Sequence, residues 1–286
     1  MKPKNKSFVK IAHISDLHFG HFWGAKKEKV EACKKSLIEF DPDVVLVTGD
    51  LALFGGISEF IKARKFLDSL PYEKVIVPGN HDVLDGMFLP KINPWKRLKL
   101  FNQFIPFKSD IKIGNLQIIG MDSTTFYALG RGHINLKEFN RFSKQKGVIK
   151  CLAMHHHVIA IPGTGEFNIL KNVDQVIGEI IKHNIQYVFH GHRHKRMHFR
   201  LDSFVWDKKL DNPVDIFACG TTLTNRTRGE DRFSNYNRVV INTAVKHNSF
   251  SYVNMIFDEN KKEFVPRDRG FKTKGIKSFE QDNFSK

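Results

Sequence analysis

The sequence is poor in cysteine and contains no long apolar run. Its three cysteines, Cys33, Cys151 and Cys219, lie far apart and form no CxxC pair. Their odd number and their spacing argue against a disulfide framework and against a thiolate metal site. No stretch approaches the roughly 18 apolar residues of a transmembrane helix, and no apolar signal core follows the basic start MKPKNKS. We therefore expect a soluble, cytoplasmic protein.

Acidic residues are also few. The chain has 30 Asp and Glu residues but 46 Lys and Arg residues, which gives a formal net charge of +16. Such a surplus favours an anionic partner, such as a nucleotide, a nucleic acid, a phospholipid headgroup or a phosphorylated metabolite. Lysine-rich genomes also produce basic proteins without such a partner, so charge alone does not select a function. The hydrophobic fraction of 41% is enough for a core, and 286 residues suit one large domain or two small ones.

Strands and helices alternate along the first two thirds of the chain. Each predicted strand is apolar almost throughout, which is typical of a sheet covered on both faces. The hydrophobic pattern predicts strands at 8–15, 42–50, 73–82, 111–123, 148–157 and 185–194, and helices at 26–40, 58–70, 135–146 and 171–183.

The region after residue 200 has a different pattern. The segments VDIFACG, NRVVINTAV and SFSYVNMIFDE alternate in hydropathy and turn back on one another, which predicts antiparallel strands. From residue 260 the sequence is polar and basic with little periodicity. We therefore predict one main domain at 1–258 and a basic polar C-terminal tail at 259–286.

Polar residues follow the predicted strands at the point where each strand ends. Five of these ends read SDLH, TGDL, PGNHD, MHHH and HGHRH. The carboxyl ends of strands in an open α/β sheet share one edge, where ligands bind. Asp, Asn and His donors without sulfur suit first-row ions such as Mn, Fe or Zn. Seven such donors are too many for one ordinary site, and they suit two ions that share a bridging carboxylate and clamp a phosphoryl group.

Each motif also has a purely structural explanation when it is considered alone. TGD is an ordinary exit from a strand, GNHD can form an Asx-type turn, and three consecutive histidines cannot all point inward. The order DxH, GD, GNHD, H and GHxH, with every piece at a strand end, is much more specific than any of its parts.

Together these motifs resemble those of the calcineurin-like metallophosphoesterase superfamily. The resemblance implies an α/β fold, a four-layer α/ββ/α sandwich of two mixed β-sheets, with a two-metal centre in the loops. The compact length is similar to that of the superfamily's bacterial cyclic-nucleotide phosphodiesterase branch. The matching pieces are DLH (16–18), GD (49–50), GNHD (79–82), MHH (154–156) and GHRH (191–194).

The resemblance also implies seven metal ligands. Manganese, iron and zinc all suit this donor set, so the sequence does not select among them. Carried over by position, the ligands are Asp16, His18 and His194 for one metal, Asn80, His155 and His192 for the other, and Asp50 as the bridge between them.

His81 follows the ligand Asn80, and the resemblance implies that it acts in catalysis. In the family this histidine protonates the leaving group or stabilises the transition state during in-line attack by a metal-bridging hydroxide. The neighbouring Asp82 could orient the His81 ring and raise its pKa. The alternative is that His81 only supports the metal site through a hydrogen bond.

The substrate contacts are less well defined by the sequence. The family often has a second histidine followed by proline, whereas here His156 is followed by His157 and Val158. The segment 87–108 mixes basic and aromatic residues, which predicts a substrate lid, a peripheral membrane contact or a helix that packs on the sheet. The candidate substrate-binding residues are His156, Arg131, His133 and Arg226.

The resulting prediction is a two-metal phosphodiesterase for a small, anionic nucleotide-type substrate, with no obligate nucleic-acid partner. One alternative is a pyrophosphatase for UDP-2,3-diacylglucosamine, an enzyme of lipid A synthesis at the membrane surface. A second is a DNA repair-type nuclease, which we rank lower because the chain has no room for a further DNA-binding region. A non-catalytic metal-binding scaffold is disfavoured because suitable residues fill all seven ligand positions and the position of His81.

Overall fold

Two mixed β-sheets contain most of the chain. The computed structural model describes residues 6–20, 24–83, 94–105, 109–124, 131–160, 169–205, 208–226, 232–245, 249–267 and 271–272. Within this part, no helix is long and apolar enough to cross a membrane.

The first sheet is parallel on one side and antiparallel on the other, in the order β12-β11-β10-β1-β2-β3, with β13 also paired to β11. The strands β12 and β13 come from the predicted tail region. The strands of this sheet are β1 (Phe8–Ile14), β2 (Val44–Thr48), β3 (Glu73–Val77), β10 (Asn235–Asn242), β11 (Phe250–Asp258), β12 (Glu263–Pro266) and β13 (Phe271–Lys272).

The second sheet has the order β4-β5-β6-β7-β9-β8, in which the four central strands are parallel and both edge strands are antiparallel. Its strands are β4 (Asp110–Ile113), β5 (Leu116–Gly120), β6 (Ile149–Ala153), β7 (Tyr187–His190), β8 (Met197–Val205) and β9 (Lys208–Ala218).

Helices cover the outer face of each sheet. On the first sheet α1, α2 and α4 share an apolar core with its strands, and on the second sheet α5 and a 3₁₀ helix do the same. The single turn α3 precedes α4. These elements are α1 (Lys27–Phe40), α2 (Ile57–Asp68), α3 (Asn80–Val83), α4 (Pro94–Phe104), the 3₁₀ helix (Leu136–Arg141) and α5 (Val173–Lys182).

Alternate residues of each inner strand reach two different cores. In β2, Val44 and Leu46 join the core between the sheets, whereas Val45 and Val47 join the core under the helices. This follows from the two-residue period of a strand, and it explains why β2 is apolar at every position. The layers are therefore helix, sheet, sheet, helix, which confirms the predicted α/ββ/α sandwich.

Two predicted elements differ in detail. The predicted helix 135–146 is only a 3₁₀ helix of six residues, a type of helix that occurs in short pieces. It ends there because the backbone is already extended at Phe142, where φ is −68° and ψ is 136°. The predicted strand 111–123 is a hairpin of β4 and β5. Gly114 has a φ of 57° in its two-residue turn, a conformation that glycine adopts without steric cost.

The core between the sheets generates a stability prediction. The Phe217 ring is fully buried there and contacts the rings of Phe189 and Phe250 at centroid distances of 5.1 and 5.3 Å. We expect Phe217→Ala to lower the free energy of unfolding by about 3–5 kcal/mol in urea denaturation, because it removes this ring and leaves a cavity. Phe199→Ala is the matched control, because Phe199 lies on the adjacent strand and is 42% exposed. Equal losses in the two variants would contradict the predicted inter-sheet core.

Candidate metal centre

The seven predicted ligands lie together at one edge of the sandwich. Each follows a parallel strand directly or within a few residues, three strands in the first sheet and two in the second. The carboxyl ends of these strands meet because both sheets present the same edge to the site. Asn80 is half-buried and the other six side chains are buried.

The first donor set contains Asp16, His18 and His194. The Nε2 atoms of His18 and His194 are 3.0 Å apart, and Oδ1 of Asp16 is 3.2 Å from Nε2 of His194. Together with Asp50, each residue offers one ligand atom, and these four atoms all lie within 4.8 Å of one another. Oxygen and nitrogen atoms of this kind bind first-row metal ions.

The second donor set contains Asn80, His155 and His192. Oδ1 of Asn80 is 3.1 Å from Nε2 of His155 and 2.9 Å from Nδ1 of His192, and the two ring nitrogens are 3.2 Å apart. Three donors from three separate loops therefore converge on a second position.

The Asp50 carboxylate lies between the two donor sets. Its Oδ2 is 3.8 Å from Nε2 of His18 in the first set, and its Oδ1 is 3.4 Å from Nε2 of His155 in the second. The backbone N–H of His81 donates to Oδ1 at 2.9 Å, which fixes the orientation of the carboxylate. One oxygen is thus available to each set.

Backbone carbonyls determine which ring nitrogens face the centre. Nδ1 of His155 donates to the carbonyl oxygen of Thr48 at 2.7 Å, and Nδ1 of His194 donates to the carbonyl of Arg226. A carbonyl can only accept, so in the neutral form of both rings the lone pair lies on Nε2 and points into the site. Oδ1 of Asp16 has no hydrogen-bond partner among the described residues. With both rings neutral, these buried lone pairs converge and fit metal cations.

The charges in the site agree with this interpretation. Burial alone would raise the pKa of Asp50, but His155 and His81 outweigh it and hold that pKa well below the usual range. Burial acts to lower the pKa of His155, whereas Asp50 and Asp16 raise it to about 9. The negative field that attracts a proton to this ring also attracts a cation.

Five of the seven predicted ligands have a left-handed backbone. Eight non-glycine residues in the described part of the chain have positive φ. Five of them belong to the site and have φ values from 46° to 74°: Asp16, His18, Asp50, His192 and His194. This region is sterically unfavourable for residues with a Cβ atom and is enriched at functional sites. The backbone conformation turns each side chain from its strand toward the centre.

Three glycines allow the loops to approach the ligands closely. A Cβ on Gly79 would overlap the Asp50 carboxylate, and one on Gly191 would overlap Ser15 Oγ and Asp16 Oδ2. Gly49 combines a φ of +87° with a position where a Cβ would lie 2.6 Å from Nδ1 of His155. Only glycine fits these positions without displacing a ligand.

His81 lies at the rim of the first donor set. Its half-buried ring meets the His18 ring edge-on at a centroid distance of 4.8 Å, and its Nδ1 donates to the carbonyl of Leu53 at 2.7 Å. The Asp82 carboxylate instead accepts the backbone N–H groups of Leu51, Ala52 and Gly79 at 2.8 to 3.2 Å. These contacts give no support to the prediction that Asp82 orients the His81 ring. They place Asp82 in the scaffold that joins the second and third loops.

The predicted substrate contacts lie in different environments. His156 is fully buried, and its ring centroid is 4.6 Å from that of the ligand His192. His133 is exposed and Arg131 is half-buried on the same loop. Arg226 contributes its backbone carbonyl to His194. Residues 87–93 and 106–108 of the segment 87–108 lie outside the described residues, and Phe101 of α4 packs on Phe60 of α2.

The residues that hold the ligands left little signal in the sequence. Thr48, Leu53 and Arg226 act through backbone carbonyls, which any residue type supplies. Ser15 was a detectable candidate, because it directly precedes Asp16 and its Oγ donates to Asp16 Oδ2 at 2.6 Å. Thr221 lies more than 200 positions from Asp16, whose backbone carbonyl accepts its hydroxyl at 2.7 Å.

Comparison with known proteins agrees with this geometry. The model of the calcineurin-like phosphoesterase family matches residues 9–196. The chain belongs to the calcineurin-like phosphoesterase family. It is therefore a metal-dependent phosphoester hydrolase, and a phosphoester is its substrate.

Among curated relatives of this phosphoesterase, two are named probable cyclic nucleotide phosphodiesterases. The protein from Vesicomyosocius okutanii is 27% identical over 65% of this chain and 74% of its own length. The protein from Ruthia magnifica is 24% identical over 78% of this chain and 89% of its own length. A structure of PhoD aligns with a TM-score of 0.63 and 9% identity over 96% of this chain and 74% of that chain, which agrees with the shared fold.

The close packing at Gly191 generates a prediction about metal binding. We expect Gly191→Ala to weaken Mn²⁺ binding by about 10- to 100-fold, because the new methyl group displaces the Asp16 carboxylate. Isothermal titration of the metal-free protein measures this change. Gly178→Ala in α5 is the control, because a Cβ there meets nothing within 4 Å. The control should bind Mn²⁺ as the unmodified chain does, and unchanged binding in Gly191→Ala would contradict the predicted overlap.

Proposed function

We propose that the chain is a two-metal phosphodiesterase that acts on a small nucleotide-type phosphodiester. The observation that carries the proposal is the position of Asp50, whose two carboxylate oxygens face two separate donor sets. A shared carboxylate between two sets of three donors is the arrangement expected for a pair of ions that clamp a phosphoryl group.

The proposal gives each ion three donors of its own and one shared carboxylate. Asp16, His18 and His194 would hold the first, and Asn80, His155 and His192 the second, with Asp50 shared. When bound, manganese, iron or zinc ions in such a centre supply a nucleophile at neutral pH and neutralise charge on the phosphate. The protein holds the donor atoms in place through the carbonyls of Thr48 and Arg226.

His81 is placed to act on the leaving group. Because Nδ1 is occupied by the Leu53 carbonyl, the remaining ring nitrogen, Nε2, is the one available to the substrate. The ring is held from two directions, by this hydrogen bond and by its backbone N–H bond to Asp50. It can therefore deliver a proton to the leaving oxygen of a phosphate bound at the metal centre.

His156 supplies a second contact for the phosphate. Ser123 Oγ accepts the backbone N–H groups of His155 and His156, so its own hydrogen is free to donate to Nδ1 of His156 at 2.9 Å. The His156 ring then carries its hydrogen on Nε2. This buried atom has no partner among the described residues, so it can donate to a phosphate oxygen.

Two findings favour a phosphodiester over other phosphoesters. The relatives from Vesicomyosocius okutanii and Ruthia magnifica are both named probable cyclic nucleotide phosphodiesterases. A third relative, the glycerophosphodiester phosphodiesterase GpdQ of Enterobacter lignolyticus, is 38% identical over 25% of this chain and 29% of its own length. Different phosphodiesters share the reacting group, and the loops around the site select among them.

A lipid pyrophosphate is the second candidate substrate. Phe54, Ile57 and Ile61 are all exposed and lie on the loop and helix that follow Asp50. An apolar surface of this kind near a phosphate site suits a substrate with acyl chains.

A substrate panel separates these candidates. Purified chain loaded with Mn²⁺ is assayed on cyclic AMP, UDP-2,3-diacylglucosamine in detergent, and single-stranded DNA, with Asp50→Ala as the inactive control. We expect cyclic AMP to be hydrolysed with the highest kcat/KM. Faster turnover of the lipid or of DNA would overturn the nucleotide assignment, and absence of hydrolysis with bound metal would indicate a scaffold.

The two histidines are expected to affect different kinetic constants. His81→Ala should keep both metal ions and lower kcat by about 10²–10⁴-fold, because it removes proton transfer to the leaving group. His156→Phe should mainly raise KM, because it removes a hydrogen bond to the bound phosphate and keeps an aromatic ring. Kinetics and metal analysis on the same preparations measure both effects. Loss of metal from His81→Ala would show instead that His81 is a ligand.

A further inference from the structure

The loop between β9 and β10 contacts the first donor set from outside the region matched by the family model. We call residues 220–226, GTTLTNR, the threonine loop. The family match ends at residue 196, so this loop has no role assigned by it. The carbonyl of Arg226 nevertheless accepts a hydrogen bond from Nδ1 of His194, and Thr221 Oγ1 donates one to the carbonyl of Asp16.

A directional chain of hydrogen bonds crosses the loop. Thr221 uses its only hydroxyl hydrogen on Asp16, so it accepts from Thr224 Oγ1 at 2.8 Å. Thr224 Oγ1 in turn accepts the backbone N–H of Arg226 at 3.1 Å. One end of this series of hydrogen bonds thus holds the backbone of Asp16. The other end fixes Arg226, whose carbonyl orients His194.

Lys29 of α1 anchors this loop from the opposite side. Its side chain is buried, and Nζ donates to Asn225 Oδ1 at 2.5 Å and to Ser234 Oγ at 2.9 Å. Ser234 Oγ then donates to the carbonyl of Thr224 at 2.5 Å. Lysine is almost never fully buried without partners. Here an ion pair with Glu259 Oε1 at 3.0 Å gives the ammonium group its third partner.

We propose that Lys29 is a positioning residue for the first donor set. By fixing the threonine loop, it holds the Arg226 carbonyl against His194 and so keeps the Nε2 lone pair directed at Asp16 and His18. Hydrogen-bond partners of metal-bound histidines set their orientation and basicity, and their loss weakens metal binding. The inference rests on the two-metal function proposed above.

The test compares the two donor sets within one protein. Asn80→Ala removes a donor from the second set, and His194→Ala removes one from the first. In the Asn80→Ala background, we expect Lys29→Met to weaken Mn²⁺ binding by about 10- to 100-fold. In the His194→Ala background it should leave Mn²⁺ affinity unchanged. Isothermal titration of the metal-free proteins gives both values.

The control is Lys35→Met on the same helix, because Lys35 is 68% exposed and pairs only with Glu39 among the described residues. If Lys29→Met fails to fold, the isosteric Thr224→Val loosens the same loop by removing the hydroxyl between Thr221 and the Arg226 N–H, and it should show the same selectivity. Equal weakening in both backgrounds, or none in either, overturns the positioning role. Fewer than two Mn²⁺ ions in the unmodified chain would instead overturn the proposed two-metal function.

Discussion

The convergence of buried lone pairs around the Asp50 carboxylate is the interaction on which the rest of the structure depends. Imidazole nitrogens and carboxylate oxygens approach one another to within hydrogen-bond distance, while carbonyls hold the ring hydrogens of His155 and His194 on the far side. Such an arrangement is repulsive unless protons or metal cations lie between the donor atoms. The donor atoms are thus arranged to suit metal ions before any substrate arrives.

The two-sheet sandwich supplies the rigidity that this arrangement needs. Left-handed backbone at a non-glycine residue costs about 1–3 kcal/mol, and five ligands adopt it. Burial of both faces of strands such as β1 and β2 offsets this cost, and it fixes the strand ends from which the loops depart. The site also draws on distant parts of the chain, since the threonine loop reaches it from outside the region matched by the family model and is anchored there by Lys29 of α1.

The sequence was informative where side-chain identity carries the chemistry, and uninformative where the backbone does. Strand ends rich in Asp and His predicted which residues would converge, because parallel strands share an edge. No pattern could reveal the carbonyl of Arg226, since every residue has one. Asp82 follows His81 in the sequence, which suggested a contact between their side chains. Neighbouring residues of the single turn α3 point in different directions, however, and the Asp82 carboxylate accepts hydrogen bonds from the backbone of Leu51 and Ala52.

Anomalous X-ray scattering from crystals grown with Mn²⁺ tests the two-metal arrangement most directly. The account predicts two peaks about 3.5–4 Å apart, with the Asp50 carboxylate between them. One peak should lie against Asp16, His18 and His194, and the other against Asn80, His155 and His192. A single peak, or two peaks that do not share Asp50, would contradict it.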